Sequence, residues 1–319
     1  MERVDTARLG VRLATETIEV DGFEVGVATA GRGAPLVLLH GFGVESMLYA
    51  QTLARLTRLG FRVVAIDVPG HGRSDGVGPL PVLSDYVRRI DGALRVLRAR
   101  HIGPAIIVGH SLGGRLALEL AAADPSRVLG LVLLAPITGA PWDRLQGVLR
   151  WSPPALAGYG ALAAIDVATT VPLRSDCAQS LKLSRRIVPP VRSMLLRPWN
   201  AGATLSAVLR APASTDALEV VRSAHVPAVV VHGERDRLVS VAAARSTARR
   251  LDASFVRIAR VGHSWMIRDP DALPTIMAAV LEGPFGSALE ARGFRVEPKT
   301  LLREARVRFS VEPPLTSRR

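Results

Sequence analysis

The stretch Ala105-Ile106-Ile107-Val108-Gly109-His110-Ser111-Leu112-Gly113-Gly114 decides how this chain is read. Its first four residues are apolar and rich in β-branched side chains, which favours an extended strand. From Leu112 to Ala123 the residues are mainly Leu and Ala, a helical run that Asp124-Pro125 ends. Between the two, Gly109 and Gly113 flank Ser111 in a G-x-S-x-G pattern. A residue on a tight strand-to-helix turn sits in strained backbone, so its neighbours must lack a Cβ to avoid clashes. The turn also aims the Leu112 N–H, at a helix N-terminus, toward negative charge developing on an attacked carbonyl. Ser111 is therefore a candidate nucleophile.

Working outward, short apolar runs alternate with helical patterns, the signature of a mainly parallel sheet covered by helices on both faces. Strands are expected at Pro35–Leu39, Phe61–Ile66, Ala105–Val108, Leu129–Leu134, Ala228–Val231 and Ser254–Ile258. Thr17–Val20 and Phe23–Ala28 are joined by Asp21-Gly22, a hairpin turn signal that predicts an antiparallel pair ahead of the parallel strands. Leu83, Val87, Ile90, Leu94 and Leu97 form a core-facing helical stripe. Val241 to Leu251 and Leu273 to Leu281 are expected as two further helices.

The alternation breaks over 136–223, where Pro141, Pro153-Pro154, Pro172, Pro189-Pro190, Pro198 and Pro212 separate short helical runs. This predicts a helical lid inserted into a core made of 1–135 and 224–283. Residues 284–319 read as a basic extension with Pro298 and Pro313-Pro314, in which Val307, Phe309 and Val311 alternate with polar residues as in one short strand.

The chain has 319 residues, 48% of them hydrophobic, ample for one large core. Its single cysteine, Cys177, excludes an intramolecular disulfide and is read as a packing residue. Residues 1–20 mix Arg, Asp and Glu and show no signal-peptide pattern, so a cytoplasmic protein is expected. Ala155 to Pro172 is the most apolar long stretch, but it holds Gly158, Gly160 and Asp166, against a span that needs about 20 apolar residues. The net charge of +13 concentrates in the middle and the tail: 10 basic against 5 acidic residues over 136–223, and 8 against 4 over 284–319. No aromatic-interleaved basic motif accompanies it, so nucleic-acid binding is not expected. Peripheral attraction to anionic lipid is. Nothing in the sequence calls for a metal or cofactor, or fixes an oligomeric state.

Further motifs resemble those of the α/β-hydrolase superfamily, and of a serine esterase or lipase within it. The resemblance covers roughly 15–283. His40-Gly41-Phe42-Gly43 follows a strand as the family's oxyanion loop does, and implies that Phe42 N–H joins Leu112 N–H as an oxyanion donor. Asp67-Val68-Pro69-Gly70-His71-Gly72-Arg73-Ser74 looks like the family's D-x-x-G-x-G-x-S segment, with Asp67 and His71 as turn and packing residues; His40 is read as bracing its loop. A serine needs a base whose other ring nitrogen is held by an acid. The family supplies these in the order Ser, Asp, His, after later strands. His232-Gly233-Glu234-Arg235-Asp236 matches its acid loop and Gly262-His263-Ser264 the position of its base. Asp236 is thus the expected acid and His263 the base, with Glu234 as the reserve acid. Ala135-Pro136-Ile137-Thr138, after the preceding strand, offers no acid. His232 is read as packing in its loop, His101 and His225 as lying in polar connections, and Asp269 and Asp271 as opening the last helix.

Relatives that open epoxides or displace halide carry Asp at the elbow, so Ser111 implies an acyl-enzyme route, with carboxylic esters as the default substrate. An apolar acyl pocket is expected from Trp142, Trp151, Leu156, Met194, Leu195, Leu196 and Trp199, with Trp265 and Met266 beside the base; His110, Trp142, Trp199 and Trp265 are the pocket candidates. A thioesterase or acyltransferase, a carbon–carbon bond hydrolase, and a ligand-binding protein on the same fold stay open as alternatives.

Overall fold

The structure, a computed structural model, describes residues 2–6, 11–99, 102–170, 188, 191–294 and 307–314, with backbone alone at 2–6 and 167–170. His101, Cys177, Pro172, Pro189-Pro190 and Pro298 lie outside the described residues. The chain begins with β1 (Glu2–Thr6), β2 (Val11–Val20), β3 (Phe23–Ala30) and β4 (Ala34–Leu39). Next come α1 (Ala50–Arg58), β5 (Phe61–Ile66), α2 (Leu83–Arg98), β6 (Ala105–His110), α3 (Leu112–Ala123) and β7 (Val128–Leu134). An inserted segment carries α4 (Ala140–Trp151), α5 (Pro153–Thr170), helical residues 191–196, α6 (Pro198–Arg210) and α7 (Thr215–Ser223). The chain returns through β8 (Ala228–Gly233), α8 (Val241–Leu251), β9 (Ser254–Ile258), α9 (Trp265–Arg268), α10 (Ala272–Leu281), α11 (Pro284–Ala291) and β10 (Phe309–Glu312).

The strands form one sheet in the order β1-β2-β3-β5-β4-β6-β7-β8-β9-β10. From β5 through β9 neighbours run parallel, and both outer edges are antiparallel. The expected hairpin is present: Val20 pairs with Phe23, and Asp21 and Gly22 both have positive φ, as a tight primed turn requires.

Side-chain alternation sorts the central strands onto two cores. Val37, Leu39, Val64 and Ile66 join one cluster with α2, α3, α7 and α8; Leu36, Leu38, Val63 and Ala65 join the other with α1, α10 and α11. Strands apolar on both faces must be covered on both, so the sheet ends up inside two helical layers.

Two boundaries differ from the sequence reading. The described parts of the expected C-terminal extension belong to the core. Phe285 and Leu289 of α11 are buried against the sheet, and β10 pairs with β9 from Phe309↔Ile258 to Glu312↔Phe255. The basic residues of this region masked a short apolar helical face. The inserted segment also ends earlier than expected: α7 buries Leu218 and Val221 with α3 and α8, within the helical layer.

A buried polar network holds the base of the insertion. Arg115 on α3, 2% exposed, donates to Glu119 at 2.7 Å and to the Pro212 carbonyl at 2.7 Å. Asp143 on α4 accepts from the Ser214 N–H and hydroxyl, and Gln146 donates to the Ala211 carbonyl at 2.7 Å. A guanidinium this buried is tolerated because its donors are met. Among the described residues no single helix is long and apolar enough to cross a membrane, and the apolar bent pair α10–α11 is mostly buried in the protein.

Candidate active site

Ser111 stands at the C-terminal end of β6 with φ 54° and ψ −114°, in backbone that a residue with a Cβ rarely adopts. Its N–H donates to the Leu134 carbonyl at 2.9 Å, and its carbonyl accepts from Gly114 and Arg115, which starts α3. The flanking glycines are required by space: a Cβ on Gly109 would stand 2.2 Å from the Gly113 carbonyl oxygen, and one on Gly113 2.1 Å from that of Leu39.

The 40–43 loop lies directly on this turn. A Cβ on Gly41 would be 3.4 Å from the Ser111 Cβ and 3.2 Å from His110 Nδ1. His40 holds the loop as expected: its Nε2 accepts the Val68 N–H at 2.8 Å and its Nδ1 donates to the Gly41 carbonyl at 2.8 Å. Burial pushes His40 below the usual imidazole range, so it is neutral, and its 3.9 Å approach to Asp67 is not an ion pair. Asp67 accepts the Ser46 and Arg73 N–H groups, a turn role, and His71 is buried against His40 and Phe42. Neither Phe42 N–H nor Leu112 N–H is engaged by another group among the described residues.

Asp236 and His263 meet in the next two loops. His263 Nδ1 donates to Asp236 Oδ2 at 2.7 Å, with both side chains buried. Asp236 Oδ1 accepts the Leu238 and Val239 N–H groups at 2.8 and 2.9 Å. Burial alone would raise the Asp236 carboxyl, but the His263 charge and hydrogen bond, aided by His232 and Val239, outweigh it and hold it below the usual range. Burial likewise opposes the charged form of His263, but Asp236, with a further contribution from Asp166, lifts it above the usual imidazole value. His232 donates from Nε2 to the Val239 carbonyl at 2.9 Å and stays neutral through burial, as its packing role implies. Glu234 faces away: it accepts the Arg260 N–H at 3.1 Å and lies near Arg257.

His110 links the Ser111 turn to His263. Its ring lies 4.9 Å from that of His263. Tyr49 hydroxyl donates to His110 Nδ1 at 2.9 Å, and His110 Nε2 donates to the His263 carbonyl at 3.3 Å. Burial, reinforced by the charge on His263, pushes His110 down to about 3, so it serves as a neutral strut. This pocket candidate is buried. Two other pocket candidates are also in the cores: Trp142 packs edge-on against Tyr159 at 5.9 Å, and Trp265 lies with Met266 in the cluster of α10. Trp199 is 66% exposed. Apolar side chains near an active site do not announce which of them face it.

Two residues at the site had no sequence signal. Tyr49 supports His110 from 61 residues away, and Asp166 on α5 accepts the His263 N–H at 3.1 Å across 97 residues. A cleft beside the 40–43 loop is lined by Gly43, Val44, His71, Ser193, Met194 and Arg197. No group of three metal-binding side chains is assembled among the described residues.

A serine on a strained strand–helix turn, two N–H groups unengaged among the described residues and a buried Asp–His pair define the class: a serine hydrolase of the α/β-hydrolase fold. The family model described as serine aminopeptidase, S33 matches residues 32–270, and the chain belongs to that family. It is 33% identical over 270 residues to a Mycobacterium phage D29 protein named "Putative non-heme haloperoxidase", covering 83% of this chain and 94% of that one. It is 32% identical over 234 residues to the pimeloyl-acyl-carrier-protein methyl ester esterase of Methylococcus capsulatus, covering 70% and 84%. The crystal structure of a membrane phospholipase A, a bacterial virulence factor, shares the fold with a TM-score of 0.68 at 21% identity, over 87% of each chain.

Proposed function

We propose that this ester-cleaving serine hydrolase works through an acyl-enzyme, with Ser111 as nucleophile, His263 as base and Asp236 as the acid that orients it. The observation that carries the reading is the buried 2.7 Å bond between His263 and Asp236 in the loop beside the elbow. With Nδ1 committed to the carboxylate, the lone pair of His263 is on Nε2 and accepts the Ser111 proton as Ser111 attacks the carbonyl. The oxyanion that forms is met by the Phe42 and Leu112 N–H groups, each worth about 3–4 kcal/mol in such sites. Protonated His263 then gives its proton to the departing alcohol. Water, activated by the same ring, releases the acid.

The substrate is a small-molecule ester with an apolar acyl group, and the inserted helices ahead of α7 act as its lid. Likeness to the Methylococcus capsulatus esterase supports the ester, and the Met194-lined cleft beside the oxyanion loop supports the apolar acyl group. Purified protein is expected to hydrolyse p-nitrophenyl esters and to be labelled at Ser111 by a fluorophosphonate. Acyl-chain series of esters and thioesters, with aminoacyl anilides alongside, rank the leaving groups. Ser111→Ala that keeps its rate would overturn the assignment.

Peripheral attraction to anionic lipid is part of the same proposal. Residues 144–165 and 191–210 contain five arginines and no acidic residue. Trp151, Leu195, Leu196 and Trp199 on these helices are 59–78% exposed. Arginines beside exposed tryptophans suit an anionic interface. In the cytoplasm, the setting inferred from the sequence, such lipid lies on the inner leaflet. Cosedimentation with phosphatidylglycerol vesicles but not phosphatidylcholine vesicles is expected; equal recovery with both would remove the charge argument.

A further inference from the structure

The peptide unit carrying the base is held from two sides. His110, in the core, donates to the His263 carbonyl. Asp166, on the insertion, accepts the His263 N–H through Oδ1 at 3.1 Å and the Ser264 hydroxyl through Oδ2 at 2.7 Å. Gly262 allows the approach: a Cβ there would lie 3.0 Å from Asp166 Oδ1. Asp166 bonds the backbone of His263 and not its ring, so it does not compete with Asp236.

The helix that carries Asp166 is turned toward the site along one stripe. Leu156, Tyr159, Ala163 and Asp166 follow at spacings of three, four and three and are half-buried, while Gly158, Gly160, Leu162 and Ile165 are exposed. α5 also touches α9, the short helix that follows His263. The contacts that seat α5 on the core therefore include the base loop itself.

We propose that Asp166 is a positioning residue that ties the inserted helix α5 to the His263 loop and holds the base in its Asp236-bonded pose. The proposal rests on His263 being the base. It makes the seating of α5 a condition for full activity, because an unseated α5 withdraws both acceptors from residues 263 and 264.

The test compares Asp166→Ala, Asp166→Asn and Ser264→Ala in the full chain, with Ser111→Ala as the reference for background. In Asp166→Ala, kcat is expected to fall about 10–100-fold with KM changed less than about threefold, the scale of a misplaced catalytic group. The acid limb of kcat/KM is expected to move to lower pH, since a negative charge beside His263 is gone. Asp236, His110 and His232, the other titratable groups around this ring, are unchanged. Asp166→Asn keeps an acceptor for the His263 N–H, so its kcat is expected to recover to within about fivefold of wild type while the limb stays shifted. Ser264→Ala, which leaves α5 intact, is expected to cost about two- to fivefold in kcat. Wild-type kcat and an unmoved acid limb in Asp166→Ala would overturn the proposal. If Ser111→Ala keeps its activity, it is the underlying assignment that fails, whatever the Asp166 variants do.

Discussion

Three glycines at the strand ends and four within the inserted helices are the same residue under opposite constraints. At Gly109, Gly113 and Gly233 an added Cβ would stand 2.1–2.5 Å from backbone oxygen, whereas at Gly147, Gly158, Gly160 and Gly202 nothing lies within 4 Å. The loops at the strand ends are packed backbone on backbone, so the turn that carries Ser111 is fixed by the main chain. The insertion rests on the core by side chains, through Arg115, Asp143 and Asp166, and its helices keep open space around them. A rigid half thus carries the proposed chemistry, and a side-chain-anchored half is seated on it.

The comparison is tested most severely in the rigid half. Asp236→Asn is expected to lower kcat about 10^4-fold by the loss of the oriented tautomer, and Glu234→Gln to stay within about twofold; p-nitrophenyl ester kinetics on both decide which acid acts. Next in size, Gly113→Ala is expected to lose about 3 kcal/mol of stability or more and most activity, because the Leu39 carbonyl it meets is backbone and has little room to move. Urea unfolding at matched activity measures it. Below this comes pH. His263 must be neutral to act, and its value is raised, so kcat/KM is expected to fall tenfold per unit as pH drops below a midpoint above 6.5. The sign for stability is opposite: the contribution of His263 is complete below 6.5 and is lost as pH rises through the raised value. Smallest, Gly158→Ala in the open half is expected to stabilise by about 0.5–1 kcal/mol without changing kcat. A loss there instead would mean that α5 is as closely packed as the elbow.

Legibility followed the same division. The strand before Ser111, the hairpin at Asp21-Gly22 and the loops bearing Asp236 and His263 are local patterns, because each needs particular residues a few positions apart. His40 and Asp67 took the bracing roles their motifs implied. Tyr49 and Asp166 act across 61 and 97 residues, and only the folded chain brings them to the site. Asp166 was visible only as a charge interrupting an apolar run. Trp142 and Trp265 are buried, and the sequence does not separate burial in a core from burial in a pocket, since both select the same side chains. The helix α11 was hidden by basic neighbours, although Phe285 and Leu289 were already on one face.

The backbone at Ser111 is in the left-handed region. At φ 54° a non-glycine residue costs about 1–3 kcal/mol. Durability alone would therefore favour glycine at this position, whereas the proposed nucleophile requires serine. Ser111→Gly is then the substitution that trades one for the other: a protein that melts higher than wild type and does nothing. Thermal melting of that variant weighs, at one residue, what the fold favours against what the reaction needs.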